Sequence, residues 1–178
     1  MLIGHLPAGY IISRLLIRYA EPTEVSAKAF ILAGVIGAVA PDLDMFYFHL
    51  VDHRQHHHHT YFTHYPVVWL VLLTASSAWL FTASKKNYAA CASIFSLNGF
   101  VHMILDTIVG DIWWFAPWGS EPFAFFTVPA LYKPWWLNFL LHWSFAIEIA
   151  VVVWAIYLWR KARHHKITVT ATNAPTVP

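Results

Sequence analysis

The chain has 178 residues, of which 58% are hydrophobic and 11% charged, with a formal net charge of +2. Ordinary soluble domains carry about 25% charged residues, so this deficit, together with apolar runs near twenty residues, points to an integral membrane protein. The small, divided charge argues against a nucleic-acid partner, and the single cysteine, Cys91, excludes an intramolecular disulfide and a cysteine-based zinc cluster.

The opening "MLIGHLPAGY" lacks a basic n-region and a signal-peptidase site, so no cleaved signal peptide is expected. Residues 2–19 form an amphipathic segment interrupted by Arg14 and Arg18, with His5 near its outer end. "SAKAFILAGVIGAVA" (26–40) is Gly/Ala-rich, which suits close packing against neighbouring helices. Both are short for a full span and are expected to be tilted, short or re-entrant. Three later segments read as spanning helices: 66–83, 88–110 and "LNFLLHWSFAIEIAVVVWAIYLW" (137–159). In hydrocarbon a backbone must satisfy its own hydrogen bonds, so apolar runs of this length become helices. The stretch 111–136 is too rich in Trp, Phe and Pro for one helix and reads as an interfacial cap. "ITVTATNAPTVP" (167–178) reads as a disordered tail. The expected architecture is all-α, a bundle of about five membrane-embedded helices forming one domain over residues 1–166, with no internal repeat.

Alternating spans place Arg14, Arg18, Lys28, Lys85, Lys86 and the basic residues of 160–166 on one side, leaving only Arg54 and Lys133 on the other. The basic side is cytoplasmic by the positive-inside rule, so the N-terminus lies outside and the C-terminus in the cytoplasm. The outer face then receives the loops 41–65 and 110–136, with most of the acidic residues and histidines. That partition was not built to gather them, and it marks a single polar site.

Four pieces carry chemistry. "PDLD" (41–44) presents Asp42 and Asp44 just past a helix stop at Pro41. "HRQHHHHTYFTH" (53–64) ends with His59 and His64 five residues apart. His102 and Asp106 are an i, i+4 pair on one helix face, and His5 is the fourth. Imidazole nitrogen and carboxylate oxygen are the donors of zinc and similar ions. An aspartate bridge would let two ions activate water for attack on phosphorus or carbonyl. Each piece also has a plainer reading, as a helix-end turn, a solvated loop or a His–Asp pair. Glu148 reads as a protonated or hydrogen-bonded partner inside the bundle, His142 as a ligand, anchor or proton shuttle, and His164 and His165 as solvated. No P-loop, G-x-G-x-x-G or G-x-S-x-G competes.

At these residues the chain resembles the YdjM-type family of inner-membrane-associated metal-dependent hydrolases, whose ligand pattern is similar to that of zinc-dependent phospholipase C and P1 nuclease. The family signature is an early His, then P-D-x-D, H-R-x-x-T-H, and H-x-x-x-D with a Gly four residues on. Here His5, 41–44, "HTYFTH" (59–64) and "HMILDTIVG" (102–110, Gly110 in the Gly position) match in order. Thr60 stands where the arginine is expected, and the only "HR" pair is His53-Arg54, which leaves open which of His53, His57, His58 and His59 binds metal. The final H-x-x-x-E of the soluble zinc phospholipases is absent, since Glu148 lies two residues too far from His142.

The resemblance implies Asp42, His59, His64, His102 and Asp106 as metal ligands, with His5 and Asp44 following, and one or two divalent ions, most simply zinc. Asp44 and His58 are the expected proton-moving groups. It also implies a bacterial inner-membrane location and metal-dependent hydrolysis; the expected reaction is attack of metal-activated water on a phosphodiester or related ester, and the expectation of a lipid or lipid-linked substrate rests on the site's location alone. The rival expectation is a non-enzymatic metal-binding membrane protein, a transporter or a metal or pH sensor.

Overall fold

The computed structural model describes the backbone of residues 3–172 and the side chains of residues 3–164. Among the described residues the fold is all-helical, with no strand: α1 (His5–Ala20), α2 (Ala27–Val39), α3 (Asp44–Leu50), α4 (Pro66–Thr82), α5 (Asn87–Asp106), α6 (Trp136–Leu141) and α7 (Ser144–Thr172). Short 3-10 turns occupy Pro41–Leu43, His58–Thr60 and Phe62–His64. One isolated bridge, Ile112 with Phe123, ties the cap to itself.

The helix α5 is central, with α2 and α4 packed against it; α1 lies on α2 and reaches α5, and α7 leans on α1. Small residues make the approach possible. A Cβ on Gly37 of α2 would lie 2.1 Å from the Phe95 carbonyl oxygen, and one on Gly99 of α5 would lie 1.9 Å from the Trp69 ring. Neither could be accommodated without moving a helix. The packed interior is accordingly built on residues such as Ala38, Ala89, Ala90 and Ile94, while large apolar side chains face outward, with Phe81 83%, Val153 60% and Tyr157 57% exposed. Water selects the reverse arrangement.

Among the described residues α5 alone is long and apolar enough to cross a membrane, and α2 with the segment Pro41–Leu50 makes a second span only if the pair, bent by 55°, counts as one. Two sequence expectations change in detail. The segment 137–159 is not one helix: α6 ends at Leu141, His142 is extended (ψ 142°), and α7 starts afresh at Ser144. The break is held locally, with the Ser144 amide and hydroxyl both at His142 Nδ1 (3.4 and 2.9 Å). At the other end the α7 backbone continues to Thr172, into the stretch expected as a tail; residues 173–178 lie outside the described residues.

Chain alternation brings the start of α1, the end of α2, the start of α4 and the end of α5 to the same end of the bundle. A helix the length of α5 is about 30 Å long, so Lys85 and Lys86, between α4 and α5, stand at the opposite end. The polar residues of the sequence motifs meet because each sits within a turn or two of a helix terminus on one side.

Candidate metal centre

The Pro41–Leu43 turn bends the chain after α2 and leaves Asp42 at the bundle end, while Asp44 becomes the first residue of α3. The two turns of 58–64 bring His58, His59 and His64 back across it, and α5 supplies His102 and Asp106 one turn apart. One donor atom from each of Asp42, His64, His102 and Asp106 lies within 4.8 Å of the others. His64 Nε2 is 3.7 Å from Asp42 Oδ1 and 3.9 Å from Asp106 Oδ2. His102 Nε2 is 3.6 Å from Asp42 Oδ1 and 2.9 Å from Asp106 Oδ2. Ligands about 2.0–2.1 Å from a tetrahedral ion are about 3.3–3.4 Å apart. These four His–Asp distances, 2.9–3.9 Å, bracket that spacing.

The outer nitrogens decide which way the rings present their lone pairs. His102 Nδ1 donates to the Ala38 carbonyl (2.7 Å) and His59 Nδ1 to the Asp111 carbonyl (2.8 Å). His64 Nδ1 donates to Asp44 Oδ2 at 2.5 Å, and the Thr63 hydroxyl donates to the same oxygen at 2.7 Å. With Nδ1 protonated, each Nε2 offers a lone pair inward. His64 Nε2 and His102 Nε2 are buried and have no hydrogen-bond donor or acceptor of their own. Lone pairs and carboxylate oxygens facing one another in a buried space call for a cation between them. The residues fit a divalent ion.

Electrostatics agrees. Burial disfavours the imidazolium of His64, yet the Asp42 and Asp44 carboxylates outweigh it and push its pKa up to about 9. Burial likewise opposes ionisation of Asp42, but His64 and His102 beside it bring its carboxyl below the ordinary range. Nearby, burial dominates: it lowers His58 to about 4, helped by His64, and His59 to about 2 against the pull of Asp106.

The remaining expected residues take distinct places. His59 Nε2 lies 3.6 Å from Asp106 Oδ2, at the edge of the quartet. His5 lies on the far side of Asp106, its Nε2 3.0 Å from Oδ1 and its ring stacked on His102 at 3.7 Å. His58 turns Nδ1 toward Asp44 Oδ1 at 3.9 Å, and both atoms are buried without hydrogen-bond partners. His58, His59 and His64 form a second close group. His57 accepts from the His59 amide, whereas His53 stands exposed with Arg54 in a left-handed turn (φ 50° and 64°). His142 pairs with Ser144, and Glu148 accepts from the Ile3 and Gly4 amides at 2.6 and 3.0 Å.

Gly110 has a steric reason. A Cβ there would lie 3.0 Å from His59 Cε1 and 3.1 Å from the Asp106 carbonyl oxygen. The glycine four residues after Asp106 therefore lets the imidazole pack against the end of α5. What sequence reasoning missed is mostly backbone: the carbonyls of Ala38 and Asp111 fix two imidazoles, and no side-chain motif marks them. Thr63, inside the T-H motif, was the one legible helper.

The profile of the YdjM inner membrane protein family matches residues 1–168. The chain belongs to that family. No curated protein and no solved structure matches it. The family assignment carries an inner-membrane setting and contact with a lipid bilayer, and the His/Asp groups of this structure are a place where a metal could be held.

A cavity of about 650 Å³ lies beside the quartet and is lined by two of its members, Asp42 and Asp106. His57, His58, His59, Asp111 and Thr127 complete its polar lining, and Met45, Phe46, Phe126, Val128, Trp135 and Phe139 belong to the apolar remainder. The aromatic-rich stretch expected as a cap thus contributes to the cavity at the end of the bundle that carries the quartet. Its shape is set by Asn138, buried in α6, whose side chain accepts from the Leu131 and Tyr132 amides and donates to the Tyr132 and Trp135 carbonyls.

Proposed function

We propose that the protein is a membrane-integral metal-dependent hydrolase that uses a single zinc ion to cleave a phosphodiester or related ester. The observation that carries the reading is the convergence of Asp42, His64, His102 and Asp106, two of which, Asp42 and Asp106, line a cavity whose surface is mostly apolar. Two imidazoles and two carboxylates are a donor set for zinc. One ion rather than two follows from His64: Asp44 holds Nδ1, so Nε2 alone is open, and one nitrogen cannot serve both the quartet and the His58/His59/His64 group.

In this reading Asp42, His64, His102 and Asp106 would hold the ion, with His59 beside Asp106 at the edge of the set. His5 holds the second oxygen of Asp106 and thereby its orientation. Asp44 fixes the tautomer and angle of His64, as carboxylates do behind metal-binding imidazoles. A divalent ion supplies Lewis acidity, acidifying water and polarising the ester oxygen. His58, left over from the ligand set and lining the cavity, takes a proton from the attacking water and returns it to the leaving oxygen. The new bond joins the water oxygen to phosphorus or carbonyl carbon, and the ester bond to the leaving oxygen breaks.

The bundle sits across the inner membrane as one domain with α1, α2, α4, α5 and α6–α7 embedded, the metal-binding end outside and the basic end in the cytoplasm. The outward-facing large apolar side chains and the distribution of lysine and arginine support this. The transport alternative is less well supported. Glu148, the acidic residue in the lower-lying part of α7, is engaged by backbone amides instead of lining a passage.

The test is purification with metal analysis, followed by assays of phosphodiester and carboxyl-ester analogues with and without chelator. The expected result is one ion per chain and hydrolysis that chelator removes and zinc restores. A protein that holds the ion stoichiometrically and cleaves neither ester class is a metal-binding protein of another kind.

A further inference from the structure

Building on the hydrolase reading, we infer that the substrate is a singly charged lipid phosphodiester. Its hydrocarbon chain lies along the wall made by α3, α6 and the cap residues 126–128. The cavity lining joins Asp42, Asp106 and His58 to an apolar wall of Met45 and Phe46 of α3, Phe126 and Val128 of the cap, and Trp135 and Phe139 at α6. Its volume, about 650 Å³, is within the range of small-molecule sites, roughly 300–1,000 Å³. Three of the wall residues are also open to the outside, Phe46 66%, Trp135 62% and Phe126 49% exposed. The wall therefore continues to the exterior, and in an inner membrane protein a chain can enter along it without crossing water.

Charge selects the headgroup end. No lysine or arginine lines the cavity, and the acidic side chains that do are Asp42, Asp106 and Asp111. A divalent ion balances Asp42 and Asp106, which leaves Asp111 to face the substrate. A nucleotide or phosphate monoester brings two or more negative charges and finds no basic side chain to receive them. A phosphodiester brings one, placed at the ion.

The experiment uses the full-length metal-loaded protein and p-nitrophenyl phosphodiesters with ethyl, butyl, hexyl and octyl second esters, kept below aggregation. Burying a methylene contributes about 0.8 kcal/mol, or about fourfold in kcat/KM for each methylene the wall covers. The expected result is a rise with chain length and a preference for every diester over p-nitrophenyl phosphate. V128W, which fills the wall from the cap side, and F139A, which removes part of it, should each lower the octyl-to-ethyl ratio at least tenfold. Comparing ratios between proteins cancels any partitioning of the longer esters into detergent. Bound metal, measured in the same samples, reports whether each variant is folded, and if both variants lose it the wild-type series decides. Hydrolysis that is independent of chain length, or fastest on the dianionic monoester, overturns this inference and leaves the hydrolase reading standing. A metal-loaded protein that cleaves none of the phosphate esters, ethyl included, also overturns this inference; if it cleaves the carboxyl-ester analogues the hydrolase reading stands, and if it cleaves neither class both fall.

Discussion

Two buried carboxylates, Asp106 at the end of α5 and Glu148 in α7, meet opposite surroundings. Glu148 accepts from two backbone amides at the start of α1, 2.6 and 3.0 Å away. Its charge is met by donors and by the positive end of a helix, an arrangement that stabilises a fold. Asp106 is ringed by His5, His59, His64 and His102, and two of those rings turn unpartnered Nε2 atoms toward the same small space. Burial of an acidic side chain does not by itself mark a functional site. What distinguishes the two is whether the neighbours donate hydrogen or offer more lone pairs.

The contrast can be broken most directly at the quartet. D106N or H102A should remove the ion, with bound metal falling from one per chain to below a tenth and hydrolysis falling at least a thousandfold. Elemental analysis and single-turnover assays check this. Retention of stoichiometric metal in both variants would falsify the ligand assignment. Next in size is Asp44, which touches the ion only through His64. D44N should weaken zinc affinity about 10–100-fold and leave the protein folded, a difference that competition with a chromophoric chelator would read.

Acidity sharpens the same comparison. The His64 pKa is raised from 6.5 to about 9 in the fold without metal, so its protonation stabilises that fold fully below pH 6.5 and the contribution is lost as pH rises through about 9. The ion must displace that proton. Apparent zinc affinity should therefore climb up to tenfold per pH unit between 7 and 9 and level off above, with proton release on binding; a flat profile would show that His64 is already neutral. The smallest expected effect belongs to Glu148. E148Q weakens the tie between α7 and α1 and should cost about 1–2 kcal/mol of stability, with metal content unchanged. Loss of metal there would erase the distinction between the two carboxylates.

Much of the site was visible in linear order. His102 and Asp106 declare themselves by helical spacing, and the PDLD turn by its proline. Counting basic residues across alternating segments grouped the polar ends on one side before any coordinates were considered. The ambiguity among His53, His57, His58 and His59 was not soluble from spacing, because the expected arginine is replaced by Thr60. The backbone settled which ring faces Asp106: the Asp111 carbonyl anchors His59, while His53 stays exposed. The continuous helix expected over 137–159 failed because hydropathy registers apolar character and not the local bonds at His142 and Ser144 that start a new helix.

By itself the sequence determined the helical class, the suitability of α2 for close helix packing, the family and the candidate donor residues, since these depend on composition, period and short-range spacing. The tertiary structure alone decided which helix α2 packs on, which nitrogens point inward, which residues stand at the edge of the quartet, and what lines the cavity beside it. Those outcomes depend on carbonyls and rings from segments far apart in the chain, and their meeting is fixed only when the helices pack.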